Sequence, residues 1–200
     1  MSKVVVVNHV SLDGVMQAPG RPDEDLQGGF EHGGWAQPQN DPVMGQAMAE
    51  GMSSDGALLL GRRTYESFAG FWPRQTDNPF TEVLNNTQKY VASRSLTAPL
   101  SWSNSTLLEN DAADAVAELK RRGEHDLTIL GSGELIHSLM RRDLIDEWML
   151  LIHPLILGAG RRLFPEGRFS RLRLLSSLTT TTGVMIATYA RPTQEPGPDA

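Results

Sequence analysis

The chain has no cysteine. Disulfides, thiolate nucleophiles and cysteine-ligated metal sites are all excluded by that one absence. Histidine is sparse as well. The five present (His9, His32, His125, His137, His153) form no i, i+4 pair that would line up imidazoles on a helix, so no metal site is expected. An excess of positive charge is also missing: 18 Lys and Arg stand against 24 Asp and Glu, for a net charge of −6. Nucleic acid and anionic membrane are therefore not expected as partners, though a local basic pocket is compatible with the balance. No hydrophobic run is long enough to cross a membrane, and the N-terminal "MSKVVVVNHV" reads as a strand rather than a signal peptide. A cytoplasmic protein is expected.

What is present is the material of an ordinary globular domain: 200 residues, 40% hydrophobic and 21% charged. Residues 1–191 are expected to form one domain. The proline-rich stretch 192–200 reads as a loose tail. "KVVVVNHVSLDG" is a β-branched run closed by Asp-Gly, a buried strand feeding a turn. A glycine-rich polar segment, Val15–Asp41, follows; at that length it is functional or disordered. Asp41 and Pro42 open a helix towards Gly56. Strands are expected at Ala57–Leu60, Lys89–Ser93 and Ser105–Glu109, with helices starting at Thr64 and near Phe80. Asn110–Gly123 is the clearest helix, capped by Asp111 and stopped by Gly123. "DLTILG" is a strand running into a helix at "GSGELI". A long apolar strand over 144–158 and two late strands, Arg171–Thr180 and Val184–Ala190, complete the pattern. Strands alternate with helices and then dominate, which implies an α/β fold with a mainly parallel sheet and an antiparallel C-terminal hairpin.

Two strand–helix joints carry the chemistry. "GALLLGRRTYESF" (Gly56–Phe68) looks like a P-loop short of its lysine, but its leucines must be the strand itself and the lysine is absent. What remains is Gly61, Arg62 and Arg63 with Thr64 at the helix start. That is either a phosphate site at a helix N-terminus or a surface turn with Thr64 as an ordinary cap. In "ILGSGELI" an apolar strand meets Gly131, Ser132 and Gly133 and turns directly into a helix, again aiming amides at an anion. Ser93 and Arg94 follow a third strand. All three lie at the carboxyl ends of strands, where ligands bind in open α/β sheets.

"LLLGRRTYES" resembles the Gly-Arg-x-Thr-x-Glu-Ser segment of the dihydrofolate reductase family, and "GSGELI" resembles its Gly-Gly-x-x-Ile pyrophosphate loop. "LIDEWMLLIHPLILGAGRRLFP" (Leu144–Pro165) is similar to that family's closing strand and turn. "VSLDG" (Val10–Gly14) is nearer the reductase domain of bifunctional riboflavin-biosynthesis enzymes. The matches run in order from Val4 to Ala190.

The resemblance implies a dihydrofolate reductase-like three-layer α/β/α fold and a reductase that takes hydride from NADPH. On the matching positions, Arg62, Arg63 and Thr64 would meet the 2′-phosphate and pyrophosphate. Ser93 and Arg94 would flank the adenine ribose. Gly131, Ser132, Gly133, Glu134 and Leu135 would make the second pyrophosphate contact, with Gly61 turning the chain between strand and helix. The substrate implied is a small heterocycle of the ribosylaminouracil phosphate type. The deaminase half of the bifunctional enzymes is absent, since its zinc signature needs cysteines. Dihydrofolate reductase itself has a buried carboxylate on the helix before the Gly-Arg turn. The equivalent position here falls near Gly45, with Asp41 and Glu50 the nearest acids.

Asp13 ends a buried strand and is either the catalytic or substrate-binding acid or merely a turn residue. In "GGFEHGGW" (Gly28–Trp35), paired glycines bracket Phe30, Glu31 and His32 and precede Trp35. The segment is either a lid over the nicotinamide or a plug on a groove or dimer contact. Arg161 or Arg162 either binds a substrate phosphate or covers surface. The apolar strand Ile145–Leu157 and the late hairpin offer a two-fold pairing surface, so a homodimer is expected. A dihydrofolate or pterin reductase, or a nucleotide-binding module without chemistry, are the competing readings.

Overall fold

The computed structural model describes residues 1–51, 55–78, 80–109, 111–167 and 169–192. Most of the tail expected over 192–200 lies outside the described residues, as do the end of the helix expected up to Gly56 and its link to the next strand.

An eight-stranded sheet runs in the order β4-β3-β2-β5-β1-β6-β8-β7. Its strands are β1 (Val4–Ser11), β2 (Ala57–Gly61), β3 (Lys89–Ala92), β4 (Ser105–Leu107), β5 (Leu127–Leu130), β6 (Glu147–His153), β7 (Arg173–Thr179) and β8 (Met185–Ala190). The neighbours from β4 to β6 pair in parallel, whereas β8 is antiparallel to β6 and to β7. Among the described residues, five α-helices pack around it: α1 (Pro42–Gly51), α2 (Arg62–Phe71), α3 (Phe80–Asn86), α4 (Ala112–Arg122) and α5 (Gly133–Arg141). This is the expected three-layer arrangement.

The period-2 alternation of strand side chains divides the apolar residues between two cores. Ala57 and Leu59 of β2 face a core with Val116 of α4 and Ile136 and Leu139 of α5. Leu58 and Leu60 face the other, with Met44 of α1, Tyr65 of α2 and Leu84 of α3. A parallel strand covered on both faces must be apolar throughout, which is why "ALLL" has no polar member. Each such leucine contributes about 1.5–3 kcal/mol by its burial. Helix ends follow local chemistry: Asp41 accepts from the Met44 amide at 3.0 Å, Asp111 from the Ala113 amide at 2.9 Å, and Gly123 closes α4 at φ 72°.

Lys89 is fully buried, yet its ammonium donates to the carbonyls of Asn85, Thr87 and Ser103 and lies 4.4 Å from the Trp102 ring centre. It ties α3 and the approach to β4 onto the start of β3.

Two expectations about the C-terminal half are corrected. β6 stops at His153 because Pro154 has no amide to continue the ladder, and Leu155 and Leu157 turn away to pack on Phe30 and Trp35. β6 is also bonded on both sides, to β1 and β8, so it cannot pair across a two-fold axis. The two edges of the sheet are β4 and β7, and β7 is exposed along its whole length.

Candidate functional site

β5 is inserted between β2 and β1, so the joints after β2 and β5 are neighbours at the carboxyl edge of the sheet. α2 starts at Arg62 with Gly61 in the cap position. Thr64 therefore lies within the first turn and is not the cap. Its Oγ1 instead accepts from the Ser132 amide at 3.0 Å. Ser132 Oγ answers by accepting from the Gly61 amide at 3.0 Å and donating to the Leu130 carbonyl at 2.9 Å. The two joints are thus stitched together. Gly131 sits at φ 58°, and a Cβ there would stand 3.0 Å from Thr64 Oγ1, so any side chain would be both strained and crowded. Asn8 of β1 brackets the same residue, accepting from its amide at 2.8 Å and donating to its carbonyl at 3.2 Å.

The amides of Gly61, Gly131 and Ser132 are therefore occupied by side chains. The first-turn amides of α2 (Arg62, Arg63, Thr64) and α5 (Gly133, Glu134, Leu135) have no intrahelical acceptor, and no side chain caps either helix. Two helix N-termini are left facing one crevice, each with partial positive charge. Leu135 is buried in the core and Glu134 is exposed, so both can contribute only their amides to a ligand there. Gly61 pairs in register with Ala92, which brings Ser93 and Arg94 beside Arg62 and Arg63. Ser93 Oγ accepts from the Ser95 and Leu96 amides and shapes that turn. Arg62 pairs with Glu66 at 3.1 Å, while Arg63 and Arg94 are uncommitted among the described residues. At the carboxyl edge of the sheet, two glycine-containing joints with unpaired amide donors and uncommitted guanidinium groups have the chemistry to bind a dinucleotide pyrophosphate and an additional phosphate.

Asp13 has a different occupation from the proton-donating one considered above. It accepts from Ser11 Oγ at 2.6 Å and from the amides of Leu157 and Gly158 at 3.1 and 2.9 Å. The Ser11 hydroxyl first, and those amides with it, hold its carboxyl down at about 2. At neutral pH it is an acceptor that anchors the turn after β6.

Within the segment 15–41, Phe30 and Trp35 are buried in a small apolar cluster with Val15, Ala18 and Ala36. Trp35 Nε1 donates to the Gln17 carbonyl at 2.7 Å. His32 is exposed, its ring edge-on to Phe30. Arg161 pairs with Asp25 and donates to Gln27 Oε1, closing the loop on itself instead of presenting its charge to a phosphate. Arg162 is exposed and forms a bridge with Val15.

Three polar residues of this region were not singled out by sequence reasoning: Asn8, His9 and His153. The signal was there for two of them, since Asn8 and His9 interrupt an otherwise apolar strand. His9 Nδ1 and His153 Nε2 are 2.9 Å apart. Burial, reinforced by the His153 ring, pushes His9 down to about 3, and burial pushes His153 down to about 4. On α1, Asp41 turns outward to cap the helix and bind Thr181, and Glu50 bonds Gln46 on the exposed face. Neither carboxylate enters the crevice.

The profile of the RibD C-terminal domain family matches residues 2–186. Two Bacillus subtilis (strain 168) proteins are similar in sequence. Uncharacterized protein YyaP is 28% identical over 156 residues, covering 74% of this chain and 80% of its own. Uncharacterized protein YwjB is 34% identical over 113 residues, covering 54% of this chain and 58% of its own. Among solved structures, a protein assigned to riboflavin biosynthesis from Shewanella sp. PV-4 has a TM-score of 0.67 at 24% identity, covering 96% of this chain and 99% of its own. A pyrimidine reductase-like protein from Corynebacterium diphtheriae also has a TM-score of 0.67, at 13% identity, over 96% of this chain and 93% of its own. At these identities the structures establish a shared fold.

Proposed function

Because the chain belongs to the RibD C-terminal domain family, we propose that it is an NADPH-dependent reductase acting on a small heterocycle of the ribosylaminouracil phosphate type. The observation that carries this reading is the stitched pair of helix N-termini at Gly61–Thr64 and Gly131–Leu135, flanked by arginines. NADPH supplies the hydride; the protein binds, orients and shields it. The first-turn amides of α2 and α5 hold the pyrophosphate, Arg62 and Arg63 take the 2′-phosphate, and Ser93 and Arg94 border the adenosine. Residues 1–191 act as one reductase domain in the cytoplasm.

A dihydrofolate-reducing role draws no support from the acids at α1: Asp41, which caps it, also binds Thr181, and Glu50 binds Gln46. A binding module without chemistry would share the cofactor site and differ only in turnover.

Cofactor choice tests the assignment. Calorimetric titration of wild type should show NADPH binding more tightly than NADH, because a phosphate dianion meets guanidinium groups. Arg62→Ala/Arg63→Ala should lose about tenfold or more in NADPH affinity, with NADH little changed. Equal affinities in wild type, or no binding of either, would remove the assignment.

A further inference from the structure

The carboxyl end of β1 carries a second polar feature that the cofactor crevice does not use. Asn8 faces the α4/α5 side, where it holds Gly131. Successive strand residues point to opposite faces, so His9 looks to the α1 side. There it meets His153, two strand residues beyond Leu151 on the neighbouring strand β6. His153 is fully buried, and the edge-on Trp35 ring closes it off with centroids 5.1 Å apart. Its Nδ1 has no hydrogen-bond partner among the described residues. His9 is only half-buried, and its Nε2 makes no hydrogen bond among the described residues.

Two neutral imidazoles facing each other share one proton between Nδ1 of the first and Nε2 of the second. If His9 donated, His153 would keep its other proton on Nδ1, an orphaned N–H sealed under Trp35. If His153 donates, Nδ1 is a bare lone pair. A buried donor without an acceptor is the rarer and costlier state. His153 therefore donates from Nε2 to His9 Nδ1, and the His9 proton sits on Nε2, at the half-open rim. The pair becomes a one-way device: a buried ring that fixes the tautomer, and a rim ring that can only donate.

We propose that His9 Nε2–H is the substrate-recognising donor at the carboxyl end of β1, selecting a neutral heterocycle that presents a carbonyl acceptor over one that presents an amino group there, with His153 as its positioning residue. This rests on the reductase reading. The role is a hydrogen bond that polarises the acceptor, not a proton transfer: burial keeps the ring neutral, and a neutral imidazole that gave up its proton would be left anionic. The same rim disfavours a heterocycle that offers N–H donors at that position, because two donors would face each other.

The test begins on wild-type protein labelled with 15N-histidine. Long-range 1H–15N spectra at pH 7 should show both rings neutral with the proton on Nε2. A His9 ring protonated on Nδ1, or doubly protonated, overturns the proposal. His153→Leu should release the bias, so that His9 shows mixed tautomers while the protein stays folded; an unchanged His9 spectrum removes the positioning role. For recognition, 5-amino-6-ribosylaminouracil 5′-phosphate and 2,4-diaminopyrimidine are titrated in the presence of NADPH. The uracil compound should shift the His9 Nε2 resonance, and its affinity should fall about tenfold in His9→Phe, the size of one well-made hydrogen bond. His9→Gln, which retains an N–H donor, should recover part of that loss. The diaminopyrimidine should leave His9 unmoved. Equal response to both probes, no response to either, or undiminished uracil affinity in His9→Phe overturns the proposal. NADPH affinity measured on the same samples separates the two readings. Intact NADPH binding with an unresponsive His9 sinks only this inference, whereas loss of NADPH binding by wild type sinks the reductase itself.

Discussion

At the scale of the residue, the decisive distinction is between groups that donate, groups that accept and groups already occupied. Asp13 illustrates it. Three donors converge on its carboxylate, from Ser11, Leu157 and Gly158, and hold it at about 2. Its folded pKa lies below its unfolded value near 3.8, so the stability it contributes is present above pH 4 and is lost as pH falls from about 4 towards 2. Asp13→Asn should therefore be less stable than wild type at pH 7, by about 1 kcal/mol once solvent screening is allowed for. Thermal melts at successive pH values should show the two proteins converging below pH 4. Turnover should survive the substitution, because an acceptor of three hydrogen bonds supplies no proton. A loss of about 10²-fold or more, the size expected for a deleted general acid, would restore the catalytic role.

At the scale of the element, most of the architecture is legible from local patterns. "ALLL" and "VVVV" announce strands covered on both faces, and Asp111 and Gly123 mark the ends of α4 because caps are local chemistry. The Gly61 and Gly131–Gly133 joints are legible for the same reason, since strand–glycine–helix is a short-range signal. The stitching between them is not, because Thr64 and Ser132 meet across 68 residues of chain. His9 and His153 are separated by 144. Composition cannot reveal which polar residues of a strand will find each other. β6 was misjudged from its hydrophobicity: the apolar run continues to Leu157, but Pro154 ends the ladder.

Of the two surfaces expected to pair, the apolar strand and the late hairpin, only the hairpin keeps an open edge, and we propose that a homodimer would form there. β7 is the edge strand of that hairpin, and Leu174, Leu175 and Leu178 are all exposed on it. Long apolar edge strands are normally blunted by charge or covered. Antiparallel pairing of two β7 strands about Ser176 would set Leu174 opposite Leu178 of the second copy. Sedimentation at micromolar concentration should show a dimer for wild type and a monomer for Leu174→Lys/Leu178→Lys, with NADPH affinity retained. A wild-type monomer, or a dimer untouched by the two lysines, excludes pairing through this edge.

At the scale of the whole molecule, three apolar clusters of unequal size divide the work. The two large cores clamp the sheet from either side, whereas the third gathers Val15, Ala18, Phe30, Trp35 and Ala36 over the carboxyl ends of β1 and β6. It has the fewest buried residues and is built largely from a long loop, so it should open before the sheet does. The amides of Gly34 and Ala36, bonded to the Ala18 and Pro19 carbonyls, report on that cluster; those of Val6 and Ile129, in the sheet ladder, report on the cores. Replacing a buried tryptophan by alanine typically costs about 3–5 kcal/mol. If the third cluster opens alone, that cost falls on local opening. Hydrogen exchange in Trp35→Ala should then quicken about a hundredfold at Gly34 and Ala36 and stay near wild type at Val6 and Ile129. The indole also packs edge-on against the His153 ring, so opening the cluster uncovers the buried member of the histidine pair. An equal acceleration at all four amides would mean that the loop and the sheet unfold as one unit, and that the cover over His153 cannot move independently of the fold.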